Sequence, residues 1–318
     1  MSHLVLKTTF LHQDCTDWLA ARTNLVQCDY RDHSVLYEHL AKADGLVVGT
    51  YLTVNAQLLD RAPRLKVVGR AGVGLEHVDL EACRERQICV VHTPEANRQA
   101  VVEYVTALML DALRPRPSLG PSILPDQYLQ MRRTEVGQQL DQLTLGILGF
   151  GGIGKRVGAI AHAIGMRVIV NDLLPAEHLR EAVDYPFEHV DAAELYRSSD
   201  VLTIHVDGRP ENRHLVGKDE LAQLKPSCLL INAARGMVLE PMALVTWANQ
   251  VAHQGGQAIL DVVDPEPPAG DCPLLALPNV RVLPHVAART HTALEDMGWV
   301  VRDVLAVLEN EVPRFPAC

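Results

Sequence analysis

Three side chains that could bind an anion and move a proton each follow an apolar run typical of a β-strand: Arg235, Glu266 and His285. Ligands of open parallel sheets bind outside the carboxyl ends of the strands, so these side chains could share a site. Arginine offers a planar fork of donors to a carboxylate and can polarise a carbonyl. Histidine exchanges a proton near neutral pH, and an adjacent glutamate would orient the ring and favour its protonated form. Each residue alone could be an ordinary surface or loop residue, but their common strand context predicts one site.

A glycine-rich turn lies upstream of these residues, directly after an apolar strand-like run that begins at Leu145. Its sequence, GFGGIG, has the spacing of a dinucleotide-binding loop, in which small residues let the backbone approach a pyrophosphate. The helix expected after this turn would point its free N–H groups at the phosphates. The residues expected to contact a dinucleotide cofactor are Gly149, Gly151, Gly152 and Ile153.

An acidic residue, Asp172, ends the next strand-like run, 23 residues after Gly149. This separation is close to the roughly 20 residues that place a carboxylate on the adenosine ribose diol. A carboxylate there would repel a 2′-phosphate, and the following residues 173–175 offer no cation to receive one. The sequence therefore predicts NAD rather than NADP, with a loop-capping role for Asp172 as the alternative. Beside a nicotinamide, the three reactive side chains would suit reversible oxidation of a 2-hydroxy acid.

Apolar strands alternate with helical patterns in both halves of the chain, which predicts an α/β fold with parallel sheets. A chain of 318 residues is longer than one core usually grows, so we predict two doubly wound parallel-sheet domains. A helix over Ala100–Leu113 leads into a linker rich in proline and arginine, and a last helix covers Thr292–Leu308. The predicted strands are Leu4–Leu6, Leu46–Val48, Lys66–Gly69, Cys89–His92, the run before the glycine turn, Val168–Asn171, Val201–Val206, Leu229–Asn232, Gln257–Asp261 and Val280–Leu283.

Composition argues against several other classes of protein. The net charge of −10 and the lack of a basic cluster argue against a nucleic-acid partner. The seven cysteines are scattered without metal-ligand spacing, so we expect no metal and reduced thiols. The first ten residues lack the pattern of a signal peptide, and no apolar run reaches the roughly 18 residues that a membrane span needs. We expect a cytoplasmic protein that does not associate with membranes.

Six segments of the chain together resemble the D-isomer-specific 2-hydroxyacid dehydrogenase family, which includes phosphoglycerate, glycerate, formate and D-lactate dehydrogenases. The resemblance extends over nearly the whole chain, and the six motifs together are highly specific. The segments are GRAGVGLEHVD (69–79), HTPEAN (92–97), LGILGFGGIG (145–154), LLINAARGMVLE (229–240), LDVVDPEPP (260–268) and LPHVAARTHTA (283–293).

This resemblance implies a Rossmann NAD domain, residues 99–287, inserted into a flavodoxin-like substrate domain made of residues 1–98 and 288–318. The active site would lie in the cleft between the domains, with Arg235, Glu266 and His285 as the catalytic residues. Asp261 would contact the nicotinamide carboxamide. The other residues that the resemblance places at the ligands are Ala233 and His205 for the cofactor, and Val73, Gly74 and Asn97 for the substrate. For Asn97 and His205, a cap or turn role is the alternative.

The mechanism that follows as a hypothesis is a proton transfer coupled to hydride transfer. His285 would accept the hydroxyl proton of a small D-2-hydroxy acid while the C2 hydride passes to NAD, giving the 2-keto acid. Arg235 and the amides of Val73 and Gly74 would hold the substrate carboxylate and position the reacting carbon. The resemblance also implies a homodimer.

The chain departs from the family in three places. Gly49 and Thr50 stand where many relatives carry an Arg-Ser pair, and the following Tyr51 and Leu52 suggest an apolar wall for an unphosphorylated substrate. The segment 113–139, often a dimer arm in relatives, is proline-rich here, so the dimer interface could differ. His-Val-Asp-Gly at 205–208 replaces the usual His-x-Pro beside the adenosine.

Two other functions remain open at this point. One is a non-catalytic NAD(H) sensor, because transcriptional corepressors share the fold and the same three residues. The other is a dehydrogenase that acts on a phosphonate, phosphite or formate-like acid. Since no further domain is expected after Cys318, feedback through an appended regulatory module is not expected.

Overall fold

A computed structural model describes residues 3–318, and the chain divides into two compact units. Unit 1 comprises the described residues up to Ala100 together with Ala288–Cys318, and unit 2 comprises Val101–Ala287. In the described part of the chain, no helix combines the length and the apolar character needed to cross a bilayer.

Unit 1 is built on a five-stranded parallel sheet in the order β2-β1-β3-β4-β5, which is the flavodoxin order. Buried valine and leucine dominate its strands, as expected for a sheet covered on both faces. Side chains of Asp32, Asn55 and Asp79 cap three of the helices by accepting an N–H of the first turn. Its elements are β1 Leu4–Lys7, α1 Gln13–Ala20, β2 Asn24–Gln27, α2 His33–Leu40, β3 Gly45–Val48, α3 Ala56–Leu59, β4 Val67–Arg70, α4 Leu80–Glu85 and β5 Cys89–His92.

Two features of unit 1 differ from the sequence prediction. The edge strand β2 and the helix α1 before it were not predicted, because β2 is short, polar at both ends and only half-buried. The predicted last helix is divided at Trp299 into α12, His291–Gly298, and α13, Val300–Leu308. Val300, Val301 and Val304 of α13 are buried in the core of this unit.

Unit 2 contains a seven-stranded parallel sheet in the order β12-β11-β10-β9-β6-β7-β8, the order of doubly wound dinucleotide-binding folds with one strand added. The prediction of two parallel-sheet α/β domains is therefore confirmed, although the two-residue edge strand β8 was not predicted. Its strands are β6 Thr144–Leu148, β7 Arg167–Asn171, β8 Glu188–His189, β9 Val201–Ile204, β10 Leu229–Asn232, β11 Gln257–Leu260 and β12 Val280–Val282.

One helix of this part of the chain contributes no buried side chain to the core. The helix α5, Arg98–Leu113, starts at the end of unit 1, and the chain then runs through the proline-rich segment to α6, Pro125–Thr134. No residue of α6 is buried. The remaining helices are α7 Gly152–Ala163, α8 Ala176–Arg180, α9 Ala192–Ser198, α10 Lys218–Leu221 and α11 Pro241–Val251.

Candidate active site

The glycine turn after β6 has the geometry of a phosphate-binding loop. Gly149 adopts a φ of +90°, and a Cβ there would lie 2.8 Å from the carbonyl carbon of His205, so only glycine fits this turn. Gly151 precedes α7, and a Cβ built on it would meet no described atom within 4 Å. Gly152 and Ile153 form the first turn of α7, whose free N–H groups favour an anion. The residues present thus fit the pyrophosphate of a dinucleotide.

Asp172, directly after β7, is tied to the glycine turn. Its Oδ2 accepts the backbone N–H of Phe150 at 2.6 Å, and its Oδ1 accepts that of Leu174 at 2.9 Å. The capping role considered from the sequence is therefore present. A carboxylate has about four acceptor positions, so two amide bonds leave acceptors for ribose hydroxyls.

His285 and Glu266 form a hydrogen-bonded pair outside the carboxyl ends of β11 and β12. The His285 Nδ1 lies 2.5 Å from Glu266 Oε1, and the two side chains are 32% and 24% exposed. Because an ionised carboxylate only accepts hydrogen bonds, Nδ1–H donates to Glu266 and Nε2 is the ring atom left for a substrate. His285 has a φ of +54°, a conformation uncommon for a residue with a side chain.

Asp261, at the end of β11, fixes the backbone around that histidine. Its buried carboxylate accepts the N–H groups of Val286 and Ala287, each at 2.9 Å, and its carbonyl accepts the N–H of His285 at 2.9 Å. The family resemblance implies that Asp261 contacts the nicotinamide carboxamide. The carboxylate also has a structural role, which is to position the segment 285–287.

Arg235 follows β10, the strand next to β11, and lies in a turn whose backbone is hydrogen-bonded to the side chain of Asn232. The fully buried Asn232 donates Nδ2–H to the Arg235 carbonyl at 2.9 Å and accepts the Ala234 N–H at 3.0 Å. Any Cβ on Gly236 would overlap the backbone of Val263, so glycine lets this turn lie directly against the loop that leads to Glu266. The sheet therefore brings Arg235, Glu266 and His285 to one edge. Ala233 lies in the same turn.

His205 follows β9, the strand beside β6, and its backbone packs on Gly149. Desolvation lowers the pKa of His205 to about 3, so the imidazole is neutral at pH 7, and its Nε2 lies 3.0 Å from Thr203 Oγ1. In the segment 205–208, which replaces the family's usual His-x-Pro, Asp207 forms an ion pair with Arg209.

Tyr104 on α5 is a part of this arrangement that the sequence did not indicate. Burial and the neighbouring Asp261, to which its hydroxyl donates a hydrogen bond, raise the pKa of Tyr104 to about 12. The contact joins residues 157 positions apart, and the helical pattern over Ala100–Leu113 gives no sign of it. Tyr104 is thus a third donor to the carboxylate that positions the segment 285–287.

We expect Tyr104→Phe to lower the free energy of unfolding by about 1.5–3 kcal/mol, because a buried carboxylate loses a hydrogen-bond donor. Urea denaturation measures this change. Tyr37→Phe, which removes a hydroxyl that bonds the exposed ring of His33, is the matched control and should change stability by less than about 0.5 kcal/mol. Equal stabilities of the two variants would contradict a structural bond to Asp261.

The predicted substrate residues Val73, Gly74 and Asn97 belong to unit 1. Thr93 Oγ1 accepts the Gly72 N–H at 3.0 Å, so the next two amides of this loop, on Val73 and Gly74, are the candidate donors to an anion. Asn97 immediately precedes α5.

Two residues expected to form an apolar wall in unit 1 have different environments. Tyr51 is 58% exposed and stacks on Tyr30, with ring centroids 6.2 Å apart. Leu52 is buried in the core of this unit, and the expectation that it lines a substrate site stays a prediction.

Residues 3–318 contain no group of three or more His, Cys, Asp or Glu side chains arranged to hold a metal ion.

Comparison with known proteins places this arrangement among dehydrogenases. The family described as D-isomer specific 2-hydroxyacid dehydrogenase, NAD binding domain, matches residues 106–287. A D-3-phosphoglycerate dehydrogenase of Methanocaldococcus jannaschii is 33% identical over 309 residues, which are 97% of this chain and 58% of that enzyme. An (S)-sulfolactate dehydrogenase of Chromohalobacter salexigens is 34% identical over 277 residues, 86% of each chain. The chain spans little more than half the length of the phosphoglycerate dehydrogenases that head the matches.

Solved structures of other proteins also superpose on this chain over almost its full length. The TT0316 protein of Thermus thermophilus superposes with a TM-score of 0.86 at 32% identity, covering 99% of this chain and 100% of the other. A D-lactate dehydrogenase of Aquifex aeolicus in complex with NAD and lactic acid gives a TM-score of 0.80 at 26% identity, covering 97% and 96%.

Proposed function

Because the chain belongs to the D-isomer specific 2-hydroxyacid dehydrogenase family, we propose that it interconverts a small D-2-hydroxy acid and its 2-keto acid, using NAD. The observation that carries this proposal is the 2.5 Å His285–Glu266 bond on the same sheet edge as Arg235. A proton-transfer group and a carboxylate-binding group are what oxidation of a 2-hydroxy acid requires from the protein.

The proposed mechanism assigns one task to each side chain. His285 Nε2 accepts the hydroxyl proton during oxidation and returns it to the ketone oxygen during reduction. Glu266 holds the ring through Nδ1 and stabilises the imidazolium that forms. Arg235 binds the substrate carboxylate and polarises the C2 oxygen, and the amides of Val73 and Gly74 are assigned to the same carboxylate.

The residues around the glycine turn support NAD as the cofactor, which supplies the hydride acceptor when bound. Gly149, Gly151, Gly152 and Ile153 would hold its pyrophosphate, and Asp172 its adenosine ribose. The other residues assigned to the cofactor are Ala233, His205 and Asp261. Asn97 is assigned to the substrate.

The test is a panel of 2-keto acids with NADH and NADPH, followed by absorbance of the reduced nicotinamide. We expect oxidation of NADH with small unphosphorylated acids such as glyoxylate, hydroxypyruvate or pyruvate. Turnover of 3-phosphoglycerate with NAD should be poor, because Gly49 and Thr50 supply no cation to the phosphate. Tight NADH binding without any turnover would instead favour the sensor, and turnover confined to phosphite, phosphonate or formate would favour the other dehydrogenase.

We also propose that the protein is a homodimer that associates through the arm 113–139. Large apolar side chains are exposed along this arm, and exposed apolar clusters mark association surfaces. These side chains are Leu119, Leu124, Tyr128, Leu129 and Val136.

All seven cysteines are unpaired, which supports a reducing compartment, the cytoplasm.

Light scattering should give twice the chain mass of 35.0 kDa, and the Leu124→Glu/Leu129→Glu variant should shift the protein toward monomer. The charged side chains would lose their hydration in an apolar interface. Leu173→Glu, at a leucine that is exposed outside the arm, is the control and should remain dimeric. A monomeric native protein, or a dimeric double variant, would contradict the assignment of the arm.

A further inference from the structure

The segment Asp207–Arg209 directly follows two residues that contact the glycine turn. The backbone of His205 and Val206 approaches so closely that a Cβ on Gly149 would lie 2.8 Å from atoms of both residues. The chain therefore enters residues 207–209 directly from this contact. Asp172 adjoins the glycine turn as well, through its 2.6 Å bond with the N–H of Phe150.

Arg209 carries a partly exposed guanidinium that two carboxylates influence. Its Nε and Nη2 donate to the two carboxylate oxygens of Asp207, at 2.7 and 2.5 Å. Asn212 holds the same carboxylate by donating Nδ2–H to Oδ1 at 3.0 Å. The pKa of Arg209 is raised first by the hydrogen bonds with Asp207, and the negative charge of Asp172 adds to this effect. The segment that carries Arg209 and the carboxylate of Asp172 are thus both connected to the glycine turn, the first through residues 205–206 and the second through Phe150.

We propose that Arg209 is a latent receptor for a 2′-phosphate of the adenosine ribose, and that Asp172 keeps this receptor from acting. This inference rests on the proposed binding of an adenine dinucleotide at the glycine turn. Arginine forms paired, charge-assisted hydrogen bonds with phosphate, and the ion pair that it would give up is solvent-exposed. Exposed ion pairs contribute only about 0–1 kcal/mol, so Asp207 does not hold Arg209 strongly.

The preference for NAD over NADP would then depend on repulsion by Asp172 alone, whereas the sequence also indicated a lack of any cation that could receive the 2′-phosphate. Residues 173–175, after Asp172, contain no cation, but Arg209 supplies one from 37 positions further along the chain. Asp172 excludes the 2′-phosphate by repulsion, whereas the cation needed to accept it is already present. A single substitution at Asp172 should therefore open the site to 2′-phosphorylated nucleotides.

Calorimetric binding of adenosine 5′-monophosphate and adenosine 2′,5′-bisphosphate to the full chain tests this without turnover. The native protein should prefer the monophosphate. Asp172→Asn should raise the affinity for the bisphosphate at least 10-fold, and Asp172→Asn/Arg209→Gln should lose most of that gain. Arg209→Gln alone should change the affinity for the monophosphate by less than 3-fold. In the Asp172→Asn background, the control Arg197→Gln, at an exposed arginine on α9, should keep the gain.

A bisphosphate affinity that is the same in Asp172→Asn and Asp172→Asn/Arg209→Gln would overturn the role of Arg209 while leaving the proposed cofactor site intact. Failure of the native protein to bind either nucleotide or NADH would overturn the cofactor site itself. Asp207→Asn tests the receptor with Asp172 in place, should Asp172→Asn fail to fold. Freeing the guanidinium should raise bisphosphate affinity about 3-fold, and an unchanged affinity would count against the proposal.

Discussion

Replacing His285 by alanine is expected to lower kcat for reduction of the best 2-keto acid by about 10²- to 10⁴-fold, the usual contribution of a general acid or base. The reason is that Nε2 is the ring atom available to the substrate once Nδ1 is bonded to Glu266. Binding of NADH should change by less than about 3-fold, because the glycine turn and Asp172 lie on other strands of the sheet.

Steady-state kinetics and fluorescence titration of NADH measure these two quantities separately. His253→Ala, at an exposed histidine of the same unit, is the matched control and should keep native kcat. Glu266→Gln should lower kcat by a smaller factor than His285→Ala, since the ring keeps a hydrogen-bond acceptor but loses the carboxylate charge. Native turnover by His285→Ala would exclude the proposed acid–base role.

Replacing Arg235 by glutamine is expected to lower kcat/KM for the keto acid by about 10²- to 10³-fold, comparable to the loss of a donor that stabilises charge in the transition state. Arg235→Lys should recover little, because an ammonium group lacks the planar fork of a guanidinium. The loss should appear in both KM and kcat, because Arg235 is assigned to the substrate carboxylate and to the C2 oxygen.

Chemical rescue distinguishes this role from a structural one. Adding guanidinium ion at millimolar concentration should restore part of the activity of Arg235→Ala, whereas a variant with a distorted turn would not respond. Arg197→Gln, on α9, is the control and should keep native kcat/KM. Absence of both a kinetic defect in Arg235→Gln and a rescue effect in Arg235→Ala would contradict the assignment.

The sequence was sufficient to predict those strands and site residues that a local pattern determines. The strands β3, β9 and β10 are fully buried and mostly apolar, as is typical of parallel sheets. Arg235 and His285 could be identified because each comes within three residues of the end of a predicted strand. The edge strands β2 and β8 were missed because short, half-exposed strands carry little apolar signal.

Contacts between distant residues could not be predicted in this way. The bond from Tyr104 to Asp261 and the influence of Asp172 on Arg209 join segments that only the fold brings together. Leu52 was expected at the substrate because it follows β3, whereas the burial of its side chain depends on the packing of the whole unit. Single-sequence patterns identify which strand end a residue occupies, but not the direction of its side chain.

The hydrogen bonds described above for the proton-transfer pair join groups of unit 2, namely Glu266, Asp261 and Tyr104. Substitutions in unit 1 do not remove any of these groups. Under the proposed function, the two chemical requirements of the enzyme can evolve separately: drift in the Val73–Gly74 loop would change which acids are accepted, while the acid–base step is inherited unchanged. Paralogues with new substrates could then arise by gene duplication without first losing catalysis.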